Sequence, residues 1–503
     1  METKVGLTSD EVCIGVDIGT TSTKAVAIDR AGRVRGRREV GYPLLTPDDA
    51  TAEQDPIAIR DAAFEVLREL VASLTEAPIR GLSFSSAMHS LIALDADGSP
   101  LTPCITWADT RSRRQADALR GTPAGDSVYA ATGTPIHPMT PLCKLIWLRE
   151  DHPDLHRRAH RFVSIKEFVL HALTGELAAD ASLASATGLF DIRTRQWHAG
   201  ALALAGIDAG RLAPPVPTRH RIPALLPAAA AAIGLPIDTP VIVGASDGCL
   251  ANLGVDALEP GRLAVTIGTS GAVRIATQRA DFDTASGLFS YILDETTYIQ
   301  GGPINNGGIV YQWFAERFPG GSPLDMDTLL REAGTLPAGA DGLLCLPYLL
   351  GERAPYWNAR ARGVYFGISI QHTLAHFLRA ALEGVIFTLY AIAERLAANA
   401  PPVTALHATG GFVHSPLWTQ ILADVFGQPV HLLATGDASA LGACILGWEA
   451  VGEPIPREAL DALFAVDRVC QPDAERHAVY TDRYRAFDTL YRRLDASFAD
   501  LLR

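Results

Sequence analysis

A short polar motif occurs twice in this chain, once in each half. Residues 17–21 read DIGTT and residues 266–270 read TIGTS, and apolar runs typical of strands flank both copies. Their offset is 266 − 17 = 249 residues, about half of the 503-residue chain. A motif repeated once per half predicts two similar domains, each presenting a polar hairpin turn to a shared cleft. Chance similarity of five common residues is the alternative.

The region around the first copy predicts a meander of strands. Residues 12–17 and 24–29 are strand-like, and turns at 19–22 and 30–32 follow them. A P-loop or a dinucleotide fingerprint would instead need a helix directly after the turn. Farther on, helical periodicity at 57–74 alternates with strand-like runs, which is typical of an α/β fold.

The domain boundary is expected where the pattern breaks, at residues 254–261. This predicts two domains, residues 1–256 and residues 257–503. In the second domain, helical patterns are expected at 374–398 and at 482–502.

The composition narrows the functional classes. A net charge of −13 disfavours nucleic acid as a partner, because phosphate backbones attract basic surfaces. Seven cysteines without a C-x-x-C pair argue against a disulfide framework or a structural zinc site, so we expect reduced thiols. The N-terminal segment has no apolar signal core, and the most apolar stretch of low charge, residues 223–236, is too short to span a bilayer. We therefore expect a cytoplasmic protein with no membrane partner.

The first copy of the motif carries the groups that phosphoryl transfer needs. Gly19 lets the backbone approach a polyphosphate, and Lys24 supplies a positive charge. Asp17, at the end of a strand, is suited to hold Mg²⁺ directly or through water. Further hydroxyl and amide donors come from Thr20, Thr21 and Ser22. A purely structural turn is the alternative, and the second copy of the motif favours the phosphate loop.

Asp247 is the candidate general base. It follows a strand-like run that ends in small residues, and Gly248 comes next, so a substrate has space to reach the carboxylate. Ligands of α/β sheets gather beyond the carboxyl ends of strands, where an Asp can accept the proton of an attacking hydroxyl. A helix N-cap is the alternative role for this residue.

Two further segments, 85–92 and 105–111, mix aromatic, imidazole, carboxylate and guanidinium groups just after strands, as sugar sites do. The candidate sugar-binding residues are Met88, His89, Trp107, Asp109 and Arg111. A structural histidine and an ordinary salt bridge are the alternatives for His89 and Arg111.

Near the end of the chain, Gly410 and Gly411 lie between a strand and a helix, where glycines permit a nucleotide to approach. A helix-opening turn is the alternative there.

Together these motifs resemble the FGGY carbohydrate kinases, within the actin/Hsp70-like ATPase superfamily, over about residues 13–452. Residues 139–148 resemble the first family signature, and residues 363–368 with 376–383 resemble the second. Within the family, four segments are most similar to gluconate kinases, whereas xylulose kinases share the Met–His pair at 88–89 and differ around it. These segments are 86–93, 106–112, 133–139 and 184–188.

The resemblance implies two RNase H-like domains of the actin/Hsp70 type, with a catalytic cleft between them, ATP as donor and Mg²⁺ as cofactor. It implies that Asp247 is the catalytic base, that Asp17 bears on Mg²⁺ and that Thr20, Thr21 and Lys24 lie near the phosphates. The second phosphate loop would contain Thr266, Gly268 and Thr269, and the adenosine pocket would be lined by Gly410 and Gly411 with Asn306 and Ser415 nearby. One departure is Asn358-Ala359, where many members carry Asp-Pro, so no carboxylate role is assigned to that turn.

The expected reaction is ATP-dependent phosphorylation of a sugar or sugar acid, with D-gluconate giving 6-phospho-D-gluconate. The cation for the substrate carboxylate stays open among Arg111, His89, His137, Lys144 and Lys166. A pentulose or polyol kinase is the nearer alternative, and a non-catalytic actin-like ATPase is the remote one. The sequence leaves a homodimer open.

Overall fold

The computed structural model describes residues 10–74, 77–317, 325–398, 401–433 and 436–500. Within these ranges the chain forms two large mixed sheets, one from each half, with helices packed against both. The expected α/β architecture is confirmed.

The first sheet has six strands. The first three strands along the chain form an antiparallel meander. The first of them, Val12–Ile18, also pairs in parallel with Ile79–Ser86, which in turn pairs in parallel with Val241–Ser246. From one edge to the other, the strands are Arg221–Ile222, Val241–Ser246, Ile79–Ser86, Val12–Ile18, Ser22–Asp29 and Val34–Gly41.

The second sheet repeats this pattern and adds one strand at the meander edge. Its meander and its two parallel partners follow in the same order, so the duplicated motif marks duplicated domains. From one edge to the other, the strands are Phe289–Ile292, Tyr298–Ile304, Gly271–Thr277, Arg262–Ile267, Ala405–Thr409, Val430–Leu433 and Val466–Cys470.

Helices pack against the two large sheets, and the described residues also form separate two-stranded ribbons. The α-helices are Pro56–Ser73, Arg113–Leu119, Pro123–Thr132, Pro141–Asp151, Pro153–Arg158, Ile165–Thr174, Ala181–Ser185, Ala199–Ala205, Pro227–Ile233, Asp247–Leu253, Gly308–Arg317, Met326–Thr335, Leu374–Ala397, Pro416–Phe426, Ala438–Ala450, Arg457–Leu463 and Ala474–Asp500. The ribbons pair Glu53–Gln54 with Cys104–Ile105, Ile92–Leu94 with Arg161–Val163, Ala179–Asp180 with Pro215–Val216, Phe190–Asp191 with Gln196–Trp197, and Leu344–Leu346 with Val364–Phe366.

Leu374–Ala397 is the central helix of the second domain. By length and composition it could cross a membrane, but 89% of its most apolar window is buried in the domain. Its two buried charges satisfy each other, because the Arg379 Nε donates to Glu383 at 2.9 Å and Tyr480 donates to the same carboxylate at 2.8 Å. The helix is therefore the core of a folded domain.

The last helix begins earlier than its sequence pattern predicts. It starts at Ala474 instead of residue 482 and runs to Asp500, and residues 501 and 502 of the expected helix lie outside the described residues. The added turns carry few apolar residues, so periodicity alone does not reveal them. They are fixed by a side-chain contact, because Asp473 accepts the backbone N–H of Arg476 at 2.9 Å, and by the buried ring of Tyr480.

One helix of the second half joins the two domains. Ala438–Ala450 packs on the first sheet, where the Trp448 indole donates to the Ile28 carbonyl at 3.0 Å. The Cys444 thiol accepts from the Gly15 N–H at 3.1 Å and contacts the Val26 carbonyl at 3.2 Å. All seven cysteines are free thiols, as expected, and this one is part of the domain contact.

A buried ion pair supports the strand that leads to Asp247. Lys166 Nζ lies 2.7 Å from Asp180, both side chains are within 1% of full burial, and the ammonium also donates to the Ala245 carbonyl at 3.0 Å. Asp180 in turn caps a helix by accepting the Leu183 N–H.

We predict that Lys166→Met destabilises the first domain by about 3–5 kcal/mol, because it leaves the Asp180 carboxylate buried without its partner. The measurement is urea unfolding followed by circular dichroism. The double variant Lys166→Met/Asp180→Asn keeps the helix cap, removes the unpaired charge and should recover part of the loss. Equal unfolding midpoints for the single and double variants would contradict this account.

Candidate active site

The first phosphate-loop candidate lies directly after the strand Val12–Ile18. The Gly19 N–H closes the turn on the Ser22 carbonyl at 2.9 Å, and Gln54 donates to the Thr20 carbonyl at 2.6 Å. The Trp107 indole donates to the Thr20 hydroxyl at 3.0 Å. This last bond connects the expected sugar site to the expected phosphate loop. Thr21 is exposed beside it, whereas the Ser22 hydroxyl is bound to Glu39.

Lys24 lies between two carboxylates, one from each domain. Its ammonium is 3.8 Å from Glu39 and 3.5 Å from Asp437, which directly precedes the helix Ala438–Ala450. Asp437 was missed by sequence reasoning, although an Asp before an apolar helical run is a helix-start signal. The charge of Asp437 also acts on Asp17.

Asp17 is the residue suited to a metal. Burial raises the pKa of its carboxyl, and the Ser85 hydroxyl, which donates to it at 2.7 Å, opposes the rise. Among the residues that the structure describes, no group of three or more His, Cys, Asp or Glu side chains is placed to hold a metal ion. A single partly exposed carboxylate fits Mg²⁺, which keeps several waters and takes its other ligands from substrate phosphates.

The second loop opens on a pocket in the second domain. The Gly268 N–H bonds the Ser270 carbonyl at 2.9 Å, and the N–H groups of Gly308 and Ile309 bond the Gly268 and Thr269 carbonyls. Beside it lies a pocket of about 1060 Å³, large enough for a nucleotide. Its lining includes Gly268, Thr269, Tyr311, Gly411, Phe412 and Ser415.

Gly410 directly precedes Gly411 of the pocket lining, and its backbone conformation and close neighbours explain why it is a glycine. Its φ is +107°, and a Cβ there would lie 2.2 Å from the Ile267 carbonyl oxygen. Ser415 caps the following helix by accepting the Trp418 N–H at 3.3 Å. Thr266 lies one strand away, with its hydroxyl 3.2 Å from that of Thr409. These positions are compatible with their expected roles.

Asn306 requires a correction, because its side chain does not reach the pocket. It is fully buried, its amide donates to the Gly351 carbonyl at 2.6 Å and to Glu352 at 3.0 Å, and its oxygen accepts the Leu350 N–H. Both the amide nitrogen and the amide oxygen of Asn306 are therefore hydrogen-bonded to the segment 350–352. Asn306 supports the loop rather than touching a nucleotide.

Asp247 begins the helix Asp247–Leu253 and lies partly exposed in the cleft, with Ser246 at the N-cap position. Its carboxylate accepts the Gly248 N–H at 2.6 Å. Burial, followed by the negative charge of Asp17, raises the pKa of Asp247 to about 6. The two carboxylates therefore act on each other across the same cleft, and Asp247 is poised to accept a proton near neutral pH.

Lys144, from the first family signature, holds the sugar-site segments together. Its buried ammonium donates to the carbonyls of His89 at 2.5 Å and Thr106 at 2.7 Å. His89 adopts a φ of +67°, and its Nδ1 contacts the Ala186 carbonyl at 2.7 Å, which requires a proton on that nitrogen. Burial and the charge of Lys144 lower the pKa of His89 to about 3. A neutral His89 with Nε2 free to accept suits a sugar hydroxyl.

Asp109 and Arg111 also require correction. Asp109 is 1% exposed, and its carboxylate accepts the Ala52 N–H at 3.0 Å and the Arg111 Nε at 2.9 Å. The Arg111 guanidinium also pairs with Glu53 and stacks 4.7 Å over the Trp147 ring. Both side chains are committed to the loop that carries Trp107, so they shape the site without facing a sugar.

The five cations considered for a substrate carboxylate are all engaged elsewhere. Arg111 and Lys166 are in ion pairs with protein carboxylates, and Lys144 is surrounded by backbone carbonyls. Burial lowers the pKa of His89 to about 3 and that of His137 well below its usual range, so both rings are neutral.

Two arginines of the second domain were missed by sequence reasoning. Arg274, on the strand Gly271–Thr277, lies against Gly248, where an added Cβ would be 3.1 Å from both the Arg274 Nε and the Met88 methyl group. The Arg353 guanidinium lies 4.8 Å over the Trp107 ring. In the sequence, a lone arginine inside an apolar strand reads as a solvent-facing residue, and no spacing rule signals its partner.

Comparisons with known proteins agree with this geometry. Residues 12–254 match the N-terminal domain, and residues 263–451 the C-terminal domain, of the FGGY family of carbohydrate kinases. The chain is 42% identical over 488 residues to a gluconokinase of Bacillus subtilis, covering 95% of this chain and 93% of the relative. A xylulose kinase of the same organism is 31% identical, covering 89% of this chain and 91% of the relative.

Among solved structures, gluconate kinase from Lactobacillus acidophilus aligns with a TM-score of 0.93 and 34% identity, covering 98% of this chain and 99% of that one. A ligand-bound xylulose kinase from L. acidophilus gives the same TM-score and identity, covering 98% and 100%.

The duplicated sheets, the paired polar loops and the acid in the cleft define a phosphotransferase that acts on an alcohol group. The chain belongs to the FGGY family of carbohydrate kinases, whose members use ATP as the phosphate donor.

We predict that kcat/KM falls below about pH 6, because Asp247 must be ionised to accept a proton and its pKa lies there. The Arg274 charge lowers this pKa, so Arg274→Gln should move the acidic limb to higher pH. The measurement is a pH profile of ADP release for both proteins at the same ATP concentration, which cancels the titration of ATP itself. Arg485→Gln, on the exposed face of the last helix, is the control, and an unmoved limb in Arg274→Gln would oppose the assignment.

Proposed function

We propose that the protein transfers the γ-phosphoryl group of ATP to the terminal hydroxyl of D-gluconate, giving 6-phospho-D-gluconate. The observation that carries the reaction type is Asp247, whose pKa is raised to about 6 by burial and by the charge of Asp17. The strand before Asp247 is separated by one parallel strand from the strand that ends at Asp17 and Ile18. The substrate rests on similarity, since the named gluconokinases are 42% and 40% identical to this chain over nearly its whole length.

In this proposal the domains divide the work. Residues 257–503 hold ATP in the pocket beside Thr269 and Gly411, and residues 1–256 supply most of the sugar site, including His89 and Trp107. Asp247 accepts the proton of the attacking hydroxyl, and closure of the cleft excludes water that would otherwise take the phosphoryl group. Mg²⁺, near Asp17, would neutralise charge on the phosphates.

A pentulose kinase is the second candidate. A xylulose kinase and a gluconate kinase structure align equally well, so the fold does not choose between them. Sequence identity favours gluconate, at 42% against 31% within one organism. A non-catalytic actin-like ATPase has less support, because such a protein has no need of an acid like Asp247 beside a sugar site.

The remaining expectations belong to the same proposal. We place the enzyme in the cytoplasm as a carbohydrate kinase without nucleic-acid or membrane partners, in line with its net charge of −13 and its apolar helix Leu374–Ala397, which is buried. A homodimer is compatible with this assignment.

We predict that wild-type protein releases ADP faster with D-gluconate than with D-xylulose, D-ribulose or glycerol. Asp247→Asn should lower kcat by a factor of about 100 or more, because the amide cannot accept the proton, while leaving ATP binding intact. Asp238→Asn, an exposed acid outside the cleft, is the matched control and should keep full activity. A fully active Asp247→Asn variant would remove the base from the mechanism, and a preference for a ketopentose would remove gluconate.

A further inference from the structure

Three residues of the second domain that neighbour His89, Trp107 or Gly248 each have a buried polar atom with no hydrogen-bond partner in the described part of the chain. The Nε atoms of Arg274 and Arg353 and the hydroxyl of Tyr291 are buried and have no hydrogen-bond partner among the described residues. Tyr291 is 1% exposed and Arg353 is 7% exposed. Buried polar groups are normally satisfied, and these three donors lie beside His89, Trp107 and Gly248, so a ligand that accepts hydrogen bonds there would give them partners.

Two of these groups border His89. The Tyr291 ring meets the His89 ring edge-on at 6.0 Å, and the Arg353 charge lowers the pKa of both His89 and His137. The described contacts of the Arg353 guanidinium are the Ile304 carbonyl at 2.9 Å and the Trp107 ring, and they include no carboxylate. Burial lowers the pKa of Arg353 only to about 10, so it carries a positive charge at neutral pH.

Arg274 differs from this pair in its surroundings. It lies against Gly248, next to the base, and its Nη1 is 3.5 Å from the Thr266 hydroxyl of the second phosphate loop. Its charge acts on Asp247. Arg274 therefore faces the reacting end of the substrate, whereas Tyr291 and Arg353 face the part of the site formed by His89 and Trp107.

We propose that Arg353 and Tyr291 bind the carboxylate of the sugar acid and so select an anionic substrate over a neutral one. This proposal rests on the proposed function and deepens it. An aldonate of six carbons carries its carboxylate at the end opposite the reacting hydroxyl, and Tyr291 and Arg353 contact His89 and Trp107, whereas Arg274 lies against Gly248 beside Asp247. A planar guanidinium and a phenol hydroxyl are donors suited to a carboxylate, and both lie in a dry site where such bonds are strong.

The test compares D-gluconate with D-glucitol, a neutral polyol of the same chain length. Tyr291→Phe should lower kcat/KM for gluconate about 10-fold, since it removes one hydrogen bond to a charged group. Arg353→Gln should lower it about 100-fold or more, with partial recovery in Arg353→Lys. For both variants, the ratio of kcat/KM for gluconate to that for D-glucitol should fall, or the ratio of their binding constants where turnover of glucitol is too slow, because only gluconate has a carboxylate to lose its partners.

Two controls make the result specific. Tyr291→Phe removes a hydroxyl without a protein partner, so its thermal unfolding midpoint should equal or exceed that of wild type, and a lower midpoint would indicate a structural role and overturn the proposal. Arg274→Gln should lower the turnover of gluconate and glucitol alike. Equal losses for both ligands in the Tyr291 and Arg353 variants would overturn this inference alone, whereas a wild-type enzyme inactive on gluconate would remove the proposed function and the inference together.

Discussion

Transfer between two ligands held by different sheets depends on the contact that fixes one sheet against the other. Here that contact is the helix Ala438–Ala450, which is part of the second domain in sequence and packs on the first sheet. Its first turn reaches the proposed catalytic base, because the Ser439 hydroxyl donates to the Asp247 carbonyl at 3.1 Å. The residue before it, Asp437, pairs with Lys24 of the first phosphate loop. One helix thus sets the position of the base, the first loop and the sheet behind both, and this explains why its side chains are buried along most of its length.

The electrostatics of the cleft follow from that arrangement. Burial raises the pKa of both Asp17 and Asp247, the charge of Asp437 adds to the rise at Asp17, and the charge of Asp17 adds to the rise at Asp247. The charge of Lys166 lowers the pKa of both Asp17 and Asp247, and the ion pair with Asp180 opposes the lowering that burial causes in the pKa of Lys166 itself. The result is a carboxylate that ionises with difficulty and therefore binds a proton well, which is what a general base requires. The overall negative charge of the chain has little bearing on this local balance, because exposed charges beyond a Debye length are screened.

The sequence predicted the strands and turns that form the site better than it predicted which charged side chains face the site. The repeat at Asp17 and Thr266 predicted the duplicated sheets, because the hairpin turn and its flanking strands are local in the chain. Asp247 was also found locally, from the small residues around it. Arg274 and Arg353 were not found, since their role arises from neighbours such as Gly248 and Trp107, which are distant in sequence. Asn306 and Asp109 were given ligand roles that burial excludes, because the sequence shows that a polar residue is present but not that the protein itself uses all of its hydrogen bonds.

The division of the sugar site between domains has a consequence for specificity. His89, Trp107 and Asp247 come from the first domain, while Tyr291 and Arg353 come from the second. A neutral polyol can be held by the first group, but an acid bound also by the second group contacts both sides of the cleft. Binding energy from the carboxylate then favours the arrangement in which the two phosphate loops face each other, so remote recognition is converted into rate as well as affinity. Selection of an anionic substrate and exclusion of water from ATP would thus depend on the same closure of the cleft. A substrate without the carboxylate would bind less tightly and would also close the cleft less completely around ATP.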